Sequence, residues 1–244
     1  INYLIQTWIG SIQKQPIFYD EYRIWWAWDN FETRWKIIDE TDLLNAIDDK
    51  TNSPTIDQKT KNQILESLKR IGRRNKPKEI KKTWIQFKNI IHDLETDERF
   101  KATPKYFVTN PIPYELGESS ETPNIDKIFK EWVGEDYVNL LYEIIAYCTL
   151  IDYPLHRIFC FLGSGLNGKS KYLELLRKFI GQKNCCSTEL DTLISSRFEI
   201  TRLHKKLACQ MSETNFNEMN KTSKLKQLSG GDLIGFEYKR KDPF

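Results

Sequence analysis

Residues that form metal sites and disulfides are scarce in this sequence. The three histidines and five cysteines show no ligand spacing and no C-x-x-C pair, so a zinc site is not expected. We expect the thiols to be reduced and mostly buried in an intracellular protein, without a disulfide framework. Cys185 and Cys186 beside Lys183 are either packed neighbours or a reactive pair. The cysteines are Cys148, Cys160, Cys185, Cys186 and Cys209.

Long uncharged hydrophobic runs are also missing. The longest apolar stretch, Tyr137 to Leu155, carries Glu143 and Asp152, so it is not expected to span a membrane. The sequence shows no signal peptide. A net charge of only +3 means that a nucleic-acid surface would have to be local. A chain that begins at Ile1 and ends at Phe244 is interpreted as a piece of a longer protein.

Aromatic residues, in contrast, are abundant near the start of the chain. The runs YRIWWAWD (22–29) and RWKIID (34–39) flank a turn-like segment and predict a β-hairpin. Its tryptophans form the core of a small sheet or stack on bases, and the sequence favours the core. Asp39 to Asp42 supply caps for a following helix. The tryptophans are Trp25, Trp26, Trp28 and Trp35.

A basic stretch follows between residues 59 and 82. It holds ten Lys or Arg and two Glu, a local net charge of +8. These cations either hold phosphates or form a solvated face, and the sequence leaves both open. Apolar residues at helical spacing predict two helices around this stretch. They are Ile64, Leu65, Leu68 and Ile71 in the first helix, and Trp84, Phe87, Ile90 and Ile91 in the second.

The character of the chain changes around residue 100, which predicts a domain boundary. We expect an N-terminal domain over 1–105, with the hairpin and basic helices, and a second domain over 106–244. An extended segment at 106–110 leads to a helix from Thr122, as N-cap, to Val133. A further helix over 135–150 ends before Pro154.

The most specific motif is GSGLNGKS, from Gly163 to Ser170. It follows the apolar run RIFCFL (157–162), a predicted buried strand, and precedes a predicted helix over 171–180. Strand, glycine-rich loop and helix in this order predict a phosphate-binding loop. Backbone N–H groups would surround phosphates, Lys169 would reach the β- and γ-phosphates, and the Ser170 hydroxyl would bind Mg²⁺. The sequence therefore predicts binding of a nucleoside triphosphate.

A second apolar run, LACQMSE (207–213), ends in an acid. Ligands of parallel α/β sheets lie at the carboxyl ends of strands, so Glu213 is the candidate that orients and deprotonates the attacking water. A short strand or irregular connection is expected over 185–190, and a helix over 191–197. His204 is interpreted as a surface histidine.

The C-terminal residues predict a helix, a turn and a strand. The helix covers 217–228, the turn 229–232 and the strand LIGFEY 233–238. The strand leads into Lys239, Arg240 and Lys241, which form a nucleic-acid finger or an ordinary charged turn.

Taken in series, these motifs resemble those of the superfamily 3 helicases of the poxvirus type and of phage and plasmid primase-helicases. The resemblance runs from about residue 107 to the end and rests on four pieces in the family's order. They are Asn167-Gly168-Lys169-Ser170, the segment 198–206, Ser212-Glu213-Thr214, and KQLSGGD (226–232) with the basic segment that follows it. The tryptophan-rich hairpin is similar to the region that precedes the helicase core.

The resemblance implies an α/β fold with a P-loop AAA+ core, truncated at its C-terminus, after a small α+β or helical domain. It implies a homo-hexameric ring that uses ATP and Mg²⁺ to translocate on single-stranded DNA in viral, phage or plasmid replication, inside the host cytoplasm. The resemblance leaves open whether the same longer chain also contains a primase domain. The implied nucleotide-binding residues are Gly163, Ser164, Gly165, Leu166, Asn167, Gly168, Lys169 and Ser170.

The resemblance also implies individual roles. Glu213 and Lys169 are catalytic, Ser170 and Glu213 serve the metal, and Lys239, Arg240 and Lys241 grip DNA in the pore. Ser212 stands where many relatives carry an acid, so metal binding would rest on Ser170 and water. The family's sensor asparagine and arginine finger are not in the sequence, so we expect ATP binding to exceed hydrolysis. Alternative hypotheses are a nucleotide-bound DNA loader without motor activity and a P-loop small-molecule kinase.

Overall fold

The computed structural model describes residues 16–51, 57–196, 198–211 and 223–230 of a mixed α/β protein. Their contacts group them into two units. The first holds the described residues up to Ile80 together with Ala102–Thr109, and the second holds Lys81–Lys101 and the described residues from Asn110 onward. This division differs from the predicted boundary, because residues 81–101 belong with the second unit.

The tryptophan-rich segment of the first unit forms an antiparallel sheet in the order β1-β2-β3. Its strands are β1 (Ile17–Tyr19), β2 (Trp25–Asp29) and β3 (Arg34–Ile38), with Trp28 opposite Trp35. The predicted hairpin is therefore confirmed. All four tryptophans expose at most 3% of their surface, so they form the core and offer no face to bases.

Two helices follow the sheet in the chain, α1 (Glu40–Thr51) and α2 (Gln58–Arg74). As expected, the Asp39 carboxylate caps α1 by accepting the Asp42 N–H at 2.8 Å. Helix α2 buries Ile64, Leu65 and Leu68, which confirms the first predicted helix. Gly72 permits a close approach, since a Cβ there would lie 3.0 Å from the Trp25 ring.

The second predicted helix of the basic region is wrong. Residues 84–100 form an antiparallel sheet of β4 (Trp84–Gln86), β5 (Ile91–Asp93) and β6 (Arg99–Phe100). The apolar spacing suited a helix, but the buried carboxylate of Asp93 organises a sheet instead. It accepts hydrogen bonds from Lys81 at 3.0 Å, Thr83 at 2.8 Å and Trp84 Nε1 at 2.8 Å.

Helices α3 (Pro123–Val133) and α4 (Val138–Tyr147) follow, separated by a 3-10 turn at Glu135–Tyr137. Both helices confirm the sequence interpretation, although Thr122 does not cap α3 with its side chain. Its hydroxyl instead bonds to Asp126 at 3.2 Å and to Tyr142 at 2.7 Å, so Thr122 occupies the predicted N-cap position without making a side-chain cap.

The remaining elements are α5 (Lys169–Ile180), β7 (Cys185–Thr188), α6 (Leu190–Ser195), β8 (Ala208–Met211) and α7 (Ser223–Gly230). Strands β7 and β8 pair in parallel, with Cys186 opposite Cys209, which confirms the predicted strand at 207–213 for its described residues and selects the strand of the two alternatives left open at 185–190. Helix α7 continues through Ser229 and Gly230, where a turn was expected. In the part of the chain that the structure describes, no helix is both long and apolar enough to cross a membrane.

Candidate nucleotide-binding site

The segment before the glycine-rich loop departs from the sequence prediction. Residues 157–162 do not pair as a strand with any other described segment, so the predicted buried strand is wrong. Phe159 and Phe161 pack against the cluster around Tyr172, whereas Ile158 and Leu162 are 56% and 78% exposed. Half-buried and exposed side chains alternate as they do in a strand. The backbone of residues 157–162, however, makes no strand-pairing hydrogen bonds with the described residues.

The loop itself is bent at two glycines with positive φ. Gly163 has φ +155° and Gly168 has φ +83°, values that L side chains rarely adopt. A Cβ on Gly168 would also lie 2.5 Å from the ring of Trp132, while a Cβ on Gly165 would meet nothing within 4 Å. Two of the three glycines are therefore required by local geometry.

The ammonium group of Lys169 is folded back over this loop. Its Nζ donates to the carbonyl oxygens of Gly163 and Ser164, each at 2.9 Å, and to Asn167 Oδ1 at 2.6 Å. An ammonium group has three donors, and the loop supplies an acceptor for each. Phosphate oxygens are stronger partners because they are charged, so they can replace these neutral acceptors. The loop thus holds a cation where an anion would bind.

The start of helix α5 adds donors of its own. Gly168 is the N-cap residue and provides no side-chain hydrogen bond to the first turn. The first N–H groups of the helix are consequently available to an anion. Ser170 lies exposed in that first turn.

The ligands near the loop can be compared with those that the expected Mg²⁺ would need. The described residues hold no group of three His, Cys, Asp or Glu that could bind a metal ion. Mg²⁺ at phosphate sites keeps several waters and needs few protein ligands, so the Ser170 hydroxyl together with phosphates fits this ion.

Helix α5 is held in place by side-chain hydrogen bonds to α4 and β8 that the sequence did not predict. The buried Tyr172 hydroxyl donates to the Leu141 carbonyl at 2.7 Å, and burial raises the pKa of Tyr172 above its usual value. Gln210 Nε2, on β8, donates to the Leu173 carbonyl at 2.8 Å. Strand β8 therefore lies beside the helix that begins at Lys169, and it ends at Met211, two positions before Glu213 in the sequence.

Sequence reasoning also missed Trp132. The sequence predicted helix α3, but not that Trp132 on this helix packs in the same cluster as Phe129 and contacts the loop. Three predicted groups lie outside the described residues: Ser212, Glu213, and the basic tip of Lys239, Arg240 and Lys241. His204 is half-buried, at the end of a 3-10 turn over Glu199–Leu203.

Comparison with known protein families gives two matches. Residues 3–135 match the family described as D5 N terminal like. Residues 161–244, which include the glycine-rich loop, match a family of unknown function (DUF5906). No curated protein matches the chain.

Solved structures give a fold relationship. The A-form apo structure of the NrS-1 C-terminal region aligns with TM-score 0.61 and 15% identity, and a second apo structure of that region (305–718) with 0.62 and 15%. Each alignment covers 99% of this chain and 53% of the other, so the chain spans about half the length of those solved chains. At this identity the likeness concerns the fold alone.

Proposed function

The chain belongs to the D5 N terminal like family, and from this premise we propose that it is part of an ATP-dependent DNA helicase motor of viral, phage or plasmid replication. The family and the fold support the coarser assignment, a replication protein of the viral primase-helicase kind. The motor activity, the P-loop AAA+ core and the hexameric ring are the finer part of the proposal. They derive from the order of the motifs between residues 163 and 244.

One observation carries the nucleotide-binding part. The ammonium of Lys169 is surrounded by three acceptors of the loop that precedes helix α5. A lysine with a purely structural role would need no loop with two positive-φ glycines around it. A phosphate-binding lysine needs both the loop and the uncapped helix end.

In the proposed reaction, ATP phosphates take the place of the carbonyl partners of Lys169. The Ser170 hydroxyl would serve Mg²⁺, which supplies charge neutralisation at the phosphates. Glu213 would accept the proton of the attacking water. The Gln210–Leu173 hydrogen bond supports this role, because it joins the strand before Glu213 to the helix after the loop.

The experiment is a measurement of ATP turnover by the full-length protein, with and without single-stranded DNA. We expect DNA to stimulate turnover, and Glu213→Gln to lower it by about 10²- to 10⁴-fold with ATP affinity retained. Glu174→Gln is the matched control, because Glu174 lies on α5 and pairs with Lys171 and Lys178 at the surface.

The outcomes separate the alternatives. ATP binding without DNA-stimulated turnover would favour a nucleotide-bound loader. Phosphoryl transfer to a small molecule, independent of DNA, would favour a kinase. Full turnover by the Glu213→Gln variant would show that the base is another residue.

A further inference from the structure

Two groups can be distinguished among the cations of the basic stretch in the structure. Three of them are paired with acids: Lys69 with Glu66 and Glu40, Lys81 with Asp93, and Lys82 with Asp152. The distances from Nζ to the carboxylates are 3.0 Å and 3.4 Å for Lys69, 3.0 Å for Lys81 and 2.9 Å for Lys82. The chain therefore supplies acids for these lysines, and their charge is compensated locally.

A second group lies at the C-terminal end of α2 and just beyond it. Arg70 and Arg74 are four positions apart and so lie on one exposed face of the helix, opposite the buried Leu68. Lys76 and Lys78 continue the exposed charge after the helix ends. Within the described part of the chain, none of these four cations makes an ion pair. Like charges at this spacing destabilise a helix, a cost that binding an anion would offset.

Lys105 joins this group from a distant part of the sequence. The Lys78 N–H donates to the Lys105 carbonyl at 2.8 Å, and the Phe107 N–H donates to the Lys78 carbonyl at 2.8 Å. These bonds hold residues 105–107 alongside Lys78 in the same unit. We call the resulting surface the basic edge. It consists of Arg70, Arg73, Arg74, Lys76, Lys78 and Lys105.

Two members of the basic edge rest on aromatic rings. The Arg73 guanidinium lies 5.0 Å from the centre of the Tyr19 ring, and Lys105 Nζ lies 5.4 Å from that of Tyr106. The cations already cover these ring faces, and the four tryptophans of the β1-β2-β3 sheet are buried. The basic edge thus offers fixed positive charge but no ring face for a base to stack on.

The simpler explanation of this charge is the helix dipole. Cations in the last turn of a helix are favoured by the dipole, which accounts for Arg73 and Arg74. It does not account for Lys76, Lys78 and Lys105, which lie outside the helix. Docking on an anionic membrane would need apolar anchors, but among the described residues of 64–80 and 102–109 no large apolar side chain is exposed.

We propose that the basic edge binds the phosphodiester backbone of nucleic acid, without sequence preference and in both single- and double-stranded DNA. Arginine forks and lysines bind phosphates, and backbone contacts carry no sequence information. This inference goes beyond the proposed function, because it needs neither ATP nor the basic tip at residues 239–241. Its failure would therefore leave the proposed motor intact.

The test is fluorescence anisotropy of a labelled oligo-dT and of a mixed-sequence duplex, titrated at several salt concentrations without nucleotide. The variant replaces Arg70, Arg74 and Lys76 with Gln, which keeps helix propensity and the two cation–ring contacts. The control replaces Lys69, Lys81 and Lys82 with Gln, which removes the same charge. Both variants are checked for an unchanged thermal midpoint, and single Gln substitutions replace a triple variant that unfolds.

We expect the Arg70/Arg74/Lys76 variant to bind both DNAs at least tenfold more weakly. Its log–log salt slope should be shallower by about 0.7 for each lost contact to single strands and about 0.9 for duplex. The control should change both quantities much less. Equal losses in the two triple variants, no loss in either, or binding to anionic lipid vesicles but not to DNA would each overturn the proposal.

Discussion

The indole ring of Trp132 occupies the space that a side chain at Gly168 would need. A Cβ on Gly168 would lie 2.5 Å from the ring, and the residue also has φ +83°. Because Trp132 packs on Phe129, whose side chain is fully buried, the ring cannot easily move away. Helix α3 therefore limits the conformation of the glycine-rich loop.

Substitution of Gly168 by Ala should disturb the loop, for both steric and conformational reasons. We expect the affinity for a fluorescent ATP analogue to fall at least tenfold, while the thermal midpoint changes little. Gly165→Ala is the matched control, since a Cβ there meets nothing within 4 Å. Equal affinity in the two variants would contradict the contact between Trp132 and the loop.

Cys186, on β7, should react faster with alkylating reagents than Cys148 and Cys185. A hydrogen bond from the Cys209 thiol lowers the pKa of Cys186, against its burial, and Lys206 and Arg202 lower it further. Burial raises the pKa of Cys148 and of Cys185 to about 11. We expect iodoacetamide to modify Cys186 faster than either of these at pH 8, as measured by peptide mass spectrometry.

A variant separates this cause from simple access to the reagent. Cys209→Ala removes the donor, so the pH midpoint of Cys186 alkylation should rise. An unchanged midpoint would mean that the hydrogen bond does not set the reactivity of Cys186. The exposed Cys160 serves as the reference for reagent activity.

The buried carboxylate of Asp93 predicts sensitivity to acid. Burial alone would raise its pKa, but hydrogen bonds from Lys81, Thr83 and Trp84 outweigh burial and hold the pKa well below its usual range. A folded-state pKa below the unfolded value of about 3.9 stabilises the fold above that pH, and this stability is lost as the pH falls further.

We therefore expect Asp93→Asn to lower the thermal midpoint at pH 7, because the amide cannot replace the charge beside Lys81. The difference from the parent should shrink as the pH falls below about 4, because Asp93 is then protonated in the unfolded parent and the stability from its native charge is lost as the pH approaches the folded-state pKa. Midpoints measured by circular dichroism between pH 7 and pH 2 test this. A difference that is constant over this range would contradict the electrostatic explanation.

The basic tip of Lys239, Arg240 and Lys241 is a separate DNA-binding prediction. The triple Ala variant should bind single-stranded DNA with a salt slope shallower by about 0.7 per contact, and DNA should no longer stimulate its ATPase. Basal turnover should be retained, because the predicted nucleotide-binding residues are unchanged. If DNA still stimulated the ATPase of this variant, the DNA contact that drives turnover would lie on other residues.

Local patterns in the sequence were sufficient for several elements. The aromatic runs around residues 30–33 predicted the hairpin, because strand alternation and a polar turn are local features. The spacing of Ile64, Leu65 and Leu68 predicted α2 for the same reason. The glycines of the motif predicted the bent loop, because glycine adopts positive φ most readily, whereas the positive φ of Leu166 was not predicted.

Tertiary partners explain the predictions that were wrong. The spacing at 84–91 suited a helix, but Asp93 gathers three side-chain donors and holds that segment in a sheet. The run at 157–162 has the composition of a strand, but no described segment pairs with it. Lys105 could not be grouped with Lys78 from sequence, because two backbone hydrogen bonds, from Lys78 to Lys105 and from Phe107 to Lys78, bring distant parts of the sequence together.

We infer that the loop over 163–170 binds ATP through Lys169. The most direct measurement is the equilibrium affinity for a fluorescent ATP analogue with Mg²⁺ in the parent, in Lys169→Ala and in Lys171→Ala. Lys171 is the control, since it lies two positions along the same helix and pairs with Glu174 at 3.0 Å.

Lys169→Ala removes charge-assisted hydrogen bonds worth about 1.5–3 kcal/mol, so its affinity should fall roughly 10- to 100-fold, whereas Lys171→Ala should bind like the parent. Equal affinity of the parent and Lys169→Ala would contradict the binding of ATP phosphates by Lys169.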